Sequence, residues 1–144
     1  MAGVPAGAGT DLALADYKRL MSKTEGEYQV QGVTEIDAPM AKALNDRGVV
    51  FVDVRGAGNF DSAHIPGAEN LSLPISLSKE NLAKVAGKNE EIAFYCFGKY
   101  CPYSAYASAK AILWGYTHVY RFAGGFPAWQ DAGYPTEAST SLAQ

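Results

Sequence analysis

Cysteine is scarce in this chain. Its 144 residues hold two, Cys96 and Cys101, beside two histidines, His64 and His118. So few ligands exclude a disulfide-built scaffold and argue against a four-ligand structural zinc site, so no metal set is expected. Positive charge is also short. Twelve Lys and Arg face fifteen Asp and Glu, giving a net charge of −3 and a pI near 5.3. That leaves no basic field for nucleic acid or an anionic membrane, although a local pocket for a small anion remains open. No stretch approaches the ~18 apolar residues of a membrane span. Residues 1–10 contain no Lys or Arg, so they lack the positive start of a secretory signal and read as a leader. A cytoplasmic location with reduced thiols is the expectation.

What is present suits one globular domain: 15.3 kDa with 48% hydrophobic residues, enough to bury a core without cross-links. Leu12, Leu14, Tyr17, Leu20 and Met21 fall on one face of an amphipathic helix expected over 11–23. It is either an appendage of the domain or a connector to a partner domain or protein. The expected division is a leader and helix over 1–30, a domain over 31–137 and a tail over 138–144. Within the domain, residues 29–35 read as a strand, and Asp37 with Pro39 opens a helix to about Asn45. The run Val49-Val50-Phe51-Val52-Asp53-Val54 is a buried parallel strand. A helical turn over 59–63 and a short strand at 70–71 follow. Ser78 caps a helix over 79–86. Residues 91–95 form the next buried strand, with Cys96 at its end. A helix over 102–114, a strand at 119–120 and a short helix containing Trp129 complete the chain. The alternation predicts an α/β domain with a mostly parallel sheet.

In such sheets ligands bind beyond the carboxyl ends of the strands. Asp53 and Arg55 end one strand and Cys96 ends another. A cysteine between a strand and a helix N-terminus faces unpaired amides and the positive end of the helix dipole, which favour the thiolate. The same amides, from Phe97, Gly98, Lys99, Tyr100 and Cys101, cradle an anion, and Lys99 adds a cation. The bland alternative is a buried structural cysteine.

Together these segments resemble a rhodanese-like domain. The resemblance lies in Val50-Phe51-Val52-Asp53-Val54-Arg55, in Phe60 with His64-Ile65-Pro66-Gly67-Ala68-Glu69-Asn70, in Ile92-Ala93-Phe94-Tyr95-Cys96, and in Tyr120-Arg121-Phe122-Ala123-Gly124-Gly125-Phe126-Pro127-Ala128-Trp129. It implies a sheet of about five strands flanked by helices, here with the N-terminal helix added. It also implies a sulfurtransferase in which Cys96 carries sulfane sulfur as a persulfide. The donor is a small sulfur-containing anion, thiosulfate- or mercaptopyruvate-like, and the acceptor is a thiol, on a small molecule or a protein. No cofactor is implied. In the family Asp53 and Arg55 correspond to a largely structural pair, and His64 to a structural loop histidine.

The loop departs from the family's Cys-x-x-Gly-x-Arg-Ser pattern. It runs Cys96-Phe97-Gly98-Lys99-Tyr100-Cys101-Pro102-Tyr103-Ser104, longer than usual and without the arginine. Phosphatases and arsenate reductases on this superfold need Cys-x5-Arg to grip an oxyanion, and that position is Pro102, so both activities are disfavoured. Pro102 at the first helical position puts Cys101 at the N-cap. There Cys101 either resolves a persulfide or sulfenate on Cys96 as a disulfide, or packs under the loop. A non-catalytic module sensing oxidants or sulfide through the Cys96/Cys101 pair is the competing function. Arg55 is a candidate anion ligand, Phe97 and Tyr100 a pocket mouth, and Trp114 and Trp129 core residues.

Overall fold

The computed structural model describes residues 17–139. Residues 17–19 are helical, and the chain turns at Leu20 into a hairpin of β1 (Met21–Thr24) and β2 (Glu27–Val30). Part of the helix expected over 11–23 lies outside the described residues, and its last turn is strand instead. The hairpin turn is Glu25-Gly26, both at positive φ (52° and 84°), the requirement of a two-residue turn that matches strand twist. The strand expected over 29–35 is divided. The chain turns at Gly32, φ +82°, and β3 begins at Thr34–Ile36.

Helix α1 (Ala38–Asp46) starts as expected, with the Met40 amide donating to Asp37 Oδ1 at 3.0 Å and Pro39 in the first turn. Then come β4 (Val50–Asp53), α2 (Ala57–Ser62), β5 (Glu69–Asn70) and α3 (Lys79–Val85), the last capped by Ser78 Oγ. β6 (Glu91–Tyr95), α4 (Tyr103–Leu113), β7 (His118–Phe122) and α5 (Gly125–Asp131) follow. The main sheet has five parallel strands in the order β3-β7-β6-β4-β5.

Strands buried on both faces need apolar residues at successive positions, which is why Val50–Asp53 and Glu91–Tyr95 read as nearly unbroken runs. Alternation divides them. Val52, Ile92 and Phe94 face a core with Leu82, Ala107 and Ala111, whereas Phe51, Ala93 and Tyr95 face Leu44, Ile65 and Trp129. Cys96 continues the first set, on the α4 side. Helix α4 presents Ser104, Ala105, Ala107, Ser108, Ala109 and Ala111, all fully buried, so small side chains let the helix lie close to the sheet. The hairpin covers its outer side, where Tyr17 and Val30 pack on Ala105 and Ala109. No helix among the described residues is long and apolar enough to cross a membrane.

Candidate active site

The carboxyl ends of β4, β6 and β7 meet at one edge. Val54 donates its amide to the Tyr95 carbonyl at 3.1 Å, and Phe126 donates to the Cys96 carbonyl at 2.9 Å. The segment after β7 lies against the cysteine loop. A Cβ on Gly125 would overlap the Cys96 carbonyl and come within 3.0 Å of the Gly98 nitrogen. Gly125 also holds φ at +65°, so glycine is required there twice over.

The loop folds back on itself, with the Cys101 amide donating to the Gly98 carbonyl at 3.1 Å. Both cysteines are free, and their Sγ atoms stand 2.7 Å apart. Cys96 is fully buried; Cys101 is partly exposed. The two thiols are therefore in hydrogen-bonding contact, with either able to donate. The hydrogen bond to Cys101 raises the Cys96 pKa, burial raises it further, and the Phe97 amide offsets only part of this. Cys101 moves the other way, down to about 6. The hydrogen bond from Cys96 is the main cause, burial opposes it, and the Tyr103 and Phe97 amides and the charge of Arg121 assist. The two shifts run in opposite directions and favour the thiolate at Cys101. The amide at the start of α4 serves Cys101, where the sequence suggested Cys96. Pro102 occupies the cap position rather than the first helical position, which puts Cys101 one residue before the cap.

Sequence reasoning singled out no functional part for Arg121. It is 1% exposed, under helix α4. Its Nε donates to Ser104 Oγ at 2.9 Å, and Nη1 donates to the Tyr28 carbonyl at 2.9 Å and to Glu35 Oε2 at 2.6 Å. Nη2 is buried and has no partner among the described residues. An arginine within the apolar strand Val119-Tyr120-Arg121-Phe122 was the available signal, since such a charge is buried only when paired.

Lys99 and Tyr100 turn toward the hairpin. Lys99 Nζ lies 3.4 Å from Glu27 Oε2, so its charge has a partner, and the Tyr100 ring lies against Gly26. Tyr100 is 61% exposed and Phe97 45%, both at the loop surface.

Asp53 and Arg55 form a buried pair under the loop. Arg55 Nη2 donates to Asp53 Oδ2 at 2.7 Å and to the Ala63 carbonyl at 2.7 Å, while Nε donates to both carboxylate oxygens. The guanidinium lies over Phe126, 4.5 Å from the ring centre, and 5.7 Å from that of Phe97. Burial opposes the Arg55 charge, but Asp53 outweighs it and the pKa is raised. Asn70 ties the strand end by donating to the carbonyls of Asp53 and Arg55. His64 stacks on Phe60 with centroids 3.7 Å apart, and its Nδ1 lies 2.6 Å from the Phe60 carbonyl oxygen, well occupied by structural contacts. Trp129 is fully buried, whereas Trp114 is half-buried at the edge of the core.

Comparison with known proteins agrees with this architecture. Thiosulfate sulfurtransferase GlpE of Pseudomonas savastanoi is 34% identical over 105 residues, spanning 71% of this chain and 91% of that protein. An HTH-type transcriptional regulator of Mycobacterium tuberculosis is 36% identical over 89 residues, covering 62% of this chain and 38% of the regulator. The crystal structure of the BH2092 protein from Bacillus halodurans superposes with a TM-score of 0.66 at 26% identity, over 74% of this chain and 77% of that one. The rhodanese-like domain family matches residues 38–132, and the chain belongs to that family.

Proposed function

We propose that this chain is a sulfurtransferase. Cys96 takes sulfane sulfur from a small anionic donor, of the thiosulfate or mercaptopyruvate kind, and passes it to a thiol. The observation that carries the reading is Cys96, at the carboxyl end of β6, in contact at 2.7 Å with a second sulfur whose pKa is pushed down to about 6. Cys101 takes the Cys96 proton as Cys96 Sγ attacks the outer sulfur of thiosulfate. The new S–S bond forms as the old one breaks, and sulfite leaves with the bonding pair. Such a displacement passes through a covalent intermediate and calls for no cofactor. Phe97 and Tyr100, exposed on the loop, are the surface a donor or acceptor meets first. The similarity to a thiosulfate sulfurtransferase over 91% of that protein's length supports the assignment.

The test is thiocyanate formation from thiosulfate, or from 3-mercaptopyruvate, with cyanide as acceptor. The wild-type chain forms thiocyanate and a folded Cys96→Ser variant does not. An unchanged rate in that variant overturns the reading.

The competing reading, a regulatory module that senses oxidants or sulfide, draws on the same pair and on the similarity to a transcriptional regulator. It predicts a peroxide-formed disulfide with no sulfur turnover from any donor.

A further inference from the structure

A persulfide on Cys96 has two electrophilic sulfurs, and the structure favours one internal attack on it. The inner sulfur is Cys96 Sγ, in direct contact with Cys101 Sγ at 2.7 Å. A neighbour already in place acts at a very high effective concentration. Cys96 is fully buried, and Cys101 is already in contact with it. The Phe97 amide serves both sulfurs, and the Tyr103 amide serves Cys101 alone.

We propose that Cys101 attacks the inner sulfur of a Cys96 persulfide, releasing hydrogen sulfide and leaving a Cys96–Cys101 disulfide, so that the chain also works as a thiol-driven reductase of sulfane sulfur. The proposal rests on the Cys96 persulfide reading above. The Cys101 thiolate supplies the electron pair for the Sγ–Sγ bond. The bond between the inner and outer sulfurs breaks, and the outer sulfur departs as HS⁻ with that bonding pair and its own proton. The two cysteines together lose two electrons and the outer sulfur gains two. A dithiol, or two molecules of a small thiol, then reduces the disulfide through a mixed disulfide. With thiosulfate as donor, one thiosulfate and two thiols become one sulfite, one hydrogen sulfide and one external disulfide.

The decisive experiment incubates the full chain with thiosulfate in the absence of reductant. Intact mass, free thiols and released sulfide are then measured. The wild-type chain loses two hydrogens, hides both thiols and releases about one sulfide per chain. Cys101→Ser, which lacks the thiolate that takes the Cys96 proton, gains one sulfur more slowly at neutral pH, keeps it and releases none. Added dithiol makes the wild-type release catalytic. A wild-type chain that holds its persulfide stably and releases no sulfide overturns the resolution step and leaves the sulfurtransferase reading standing. Sulfur uptake by Cys96→Ser in place of Cys101→Ser overturns the order of attack. If neither the wild type nor Cys101→Ser takes sulfur from thiosulfate, 3-mercaptopyruvate or an organic persulfide, the persulfide reading itself fails.

Discussion

Gly125 lies so close to the carbonyl of Cys96 that a methyl group on it would overlap that oxygen. The neighbouring Phe126 amide donates to the same carbonyl at 2.9 Å, so the turn after β7 sets where the cysteine backbone sits. Gly125→Ala combines a left-handed backbone with overpacking against a fixed main chain. We expect it to cost about 3 kcal/mol in denaturant unfolding, with loss of thiocyanate formation. An alanine variant of wild-type stability and activity contradicts this contact.

The buried Asp53–Arg55 pair, 0% and 4% exposed, is a second point of dependence. Asp53→Ala leaves a guanidinium without its carboxylate, and breaking one side of such a pair costs about 3–5 kcal/mol. Chemical denaturation of Asp53→Ala checks this. A smaller loss in Asp53→Asn, which keeps the acceptor oxygen, separates lost hydrogen bonds from lost charge.

Thiol titration reads the pair directly. Cys101 ionises near pH 6 and Cys96 well above the ordinary thiol range, so alkylation at neutral pH labels Cys101 first. Cys96→Ala removes the largest cause of the lowered value, and Arg121→Met removes a smaller one. Both raise the Cys101 midpoint, and the first raises it more. Thiolate absorbance against pH checks the ranking. Stability follows with a definite sign. Between about pH 6 and the ordinary thiol value the unfolded chain binds the extra proton at Cys101, so stability rises with pH. Above that value the folded chain retains the Cys96 proton that the unfolded chain has lost, and stability falls.

Lys99 and Glu27 predict opposite kinetic effects. Their ion pair at 3.4 Å is exposed, so neither substitution moves the unfolding midpoint. Lys99→Ala raises KM for an anionic donor by about threefold at low salt, and Glu27→Gln, which frees the lysine, lowers it. Steady-state kinetics at two ionic strengths settles the signs, because screening shrinks both effects.

The sheet was legible because strands buried on both faces must be apolar at every position, as in Val50-Phe51-Val52 and Ile92-Ala93-Phe94. The caps at Asp37 and Ser78 were legible because capping chemistry is local. The hairpin was not. Its turn is Glu25-Gly26, without the Asn-Gly or Asp-Gly signature, and Leu20 and Met21 extend a helical pattern that tertiary packing on α4 overrides. The two cysteines were legible as a cluster. Which of them favours the thiolate depends first on the contact between the two sulfurs, then on burial, two amides and Arg121 from a distant strand. Chain spacing carries no trace of that arrangement.

The central claim is that sulfane sulfur resides on Cys96. Peptide mass mapping of Cys101→Ser after exposure to thiosulfate or 3-mercaptopyruvate, repeated across pH, tests it most directly. The account predicts one added sulfur on the peptide holding Cys96, removed by cyanide as thiocyanate and missing when Cys96 is also replaced. A chain that takes up no sulfur at any pH, or carries it elsewhere, contradicts the account.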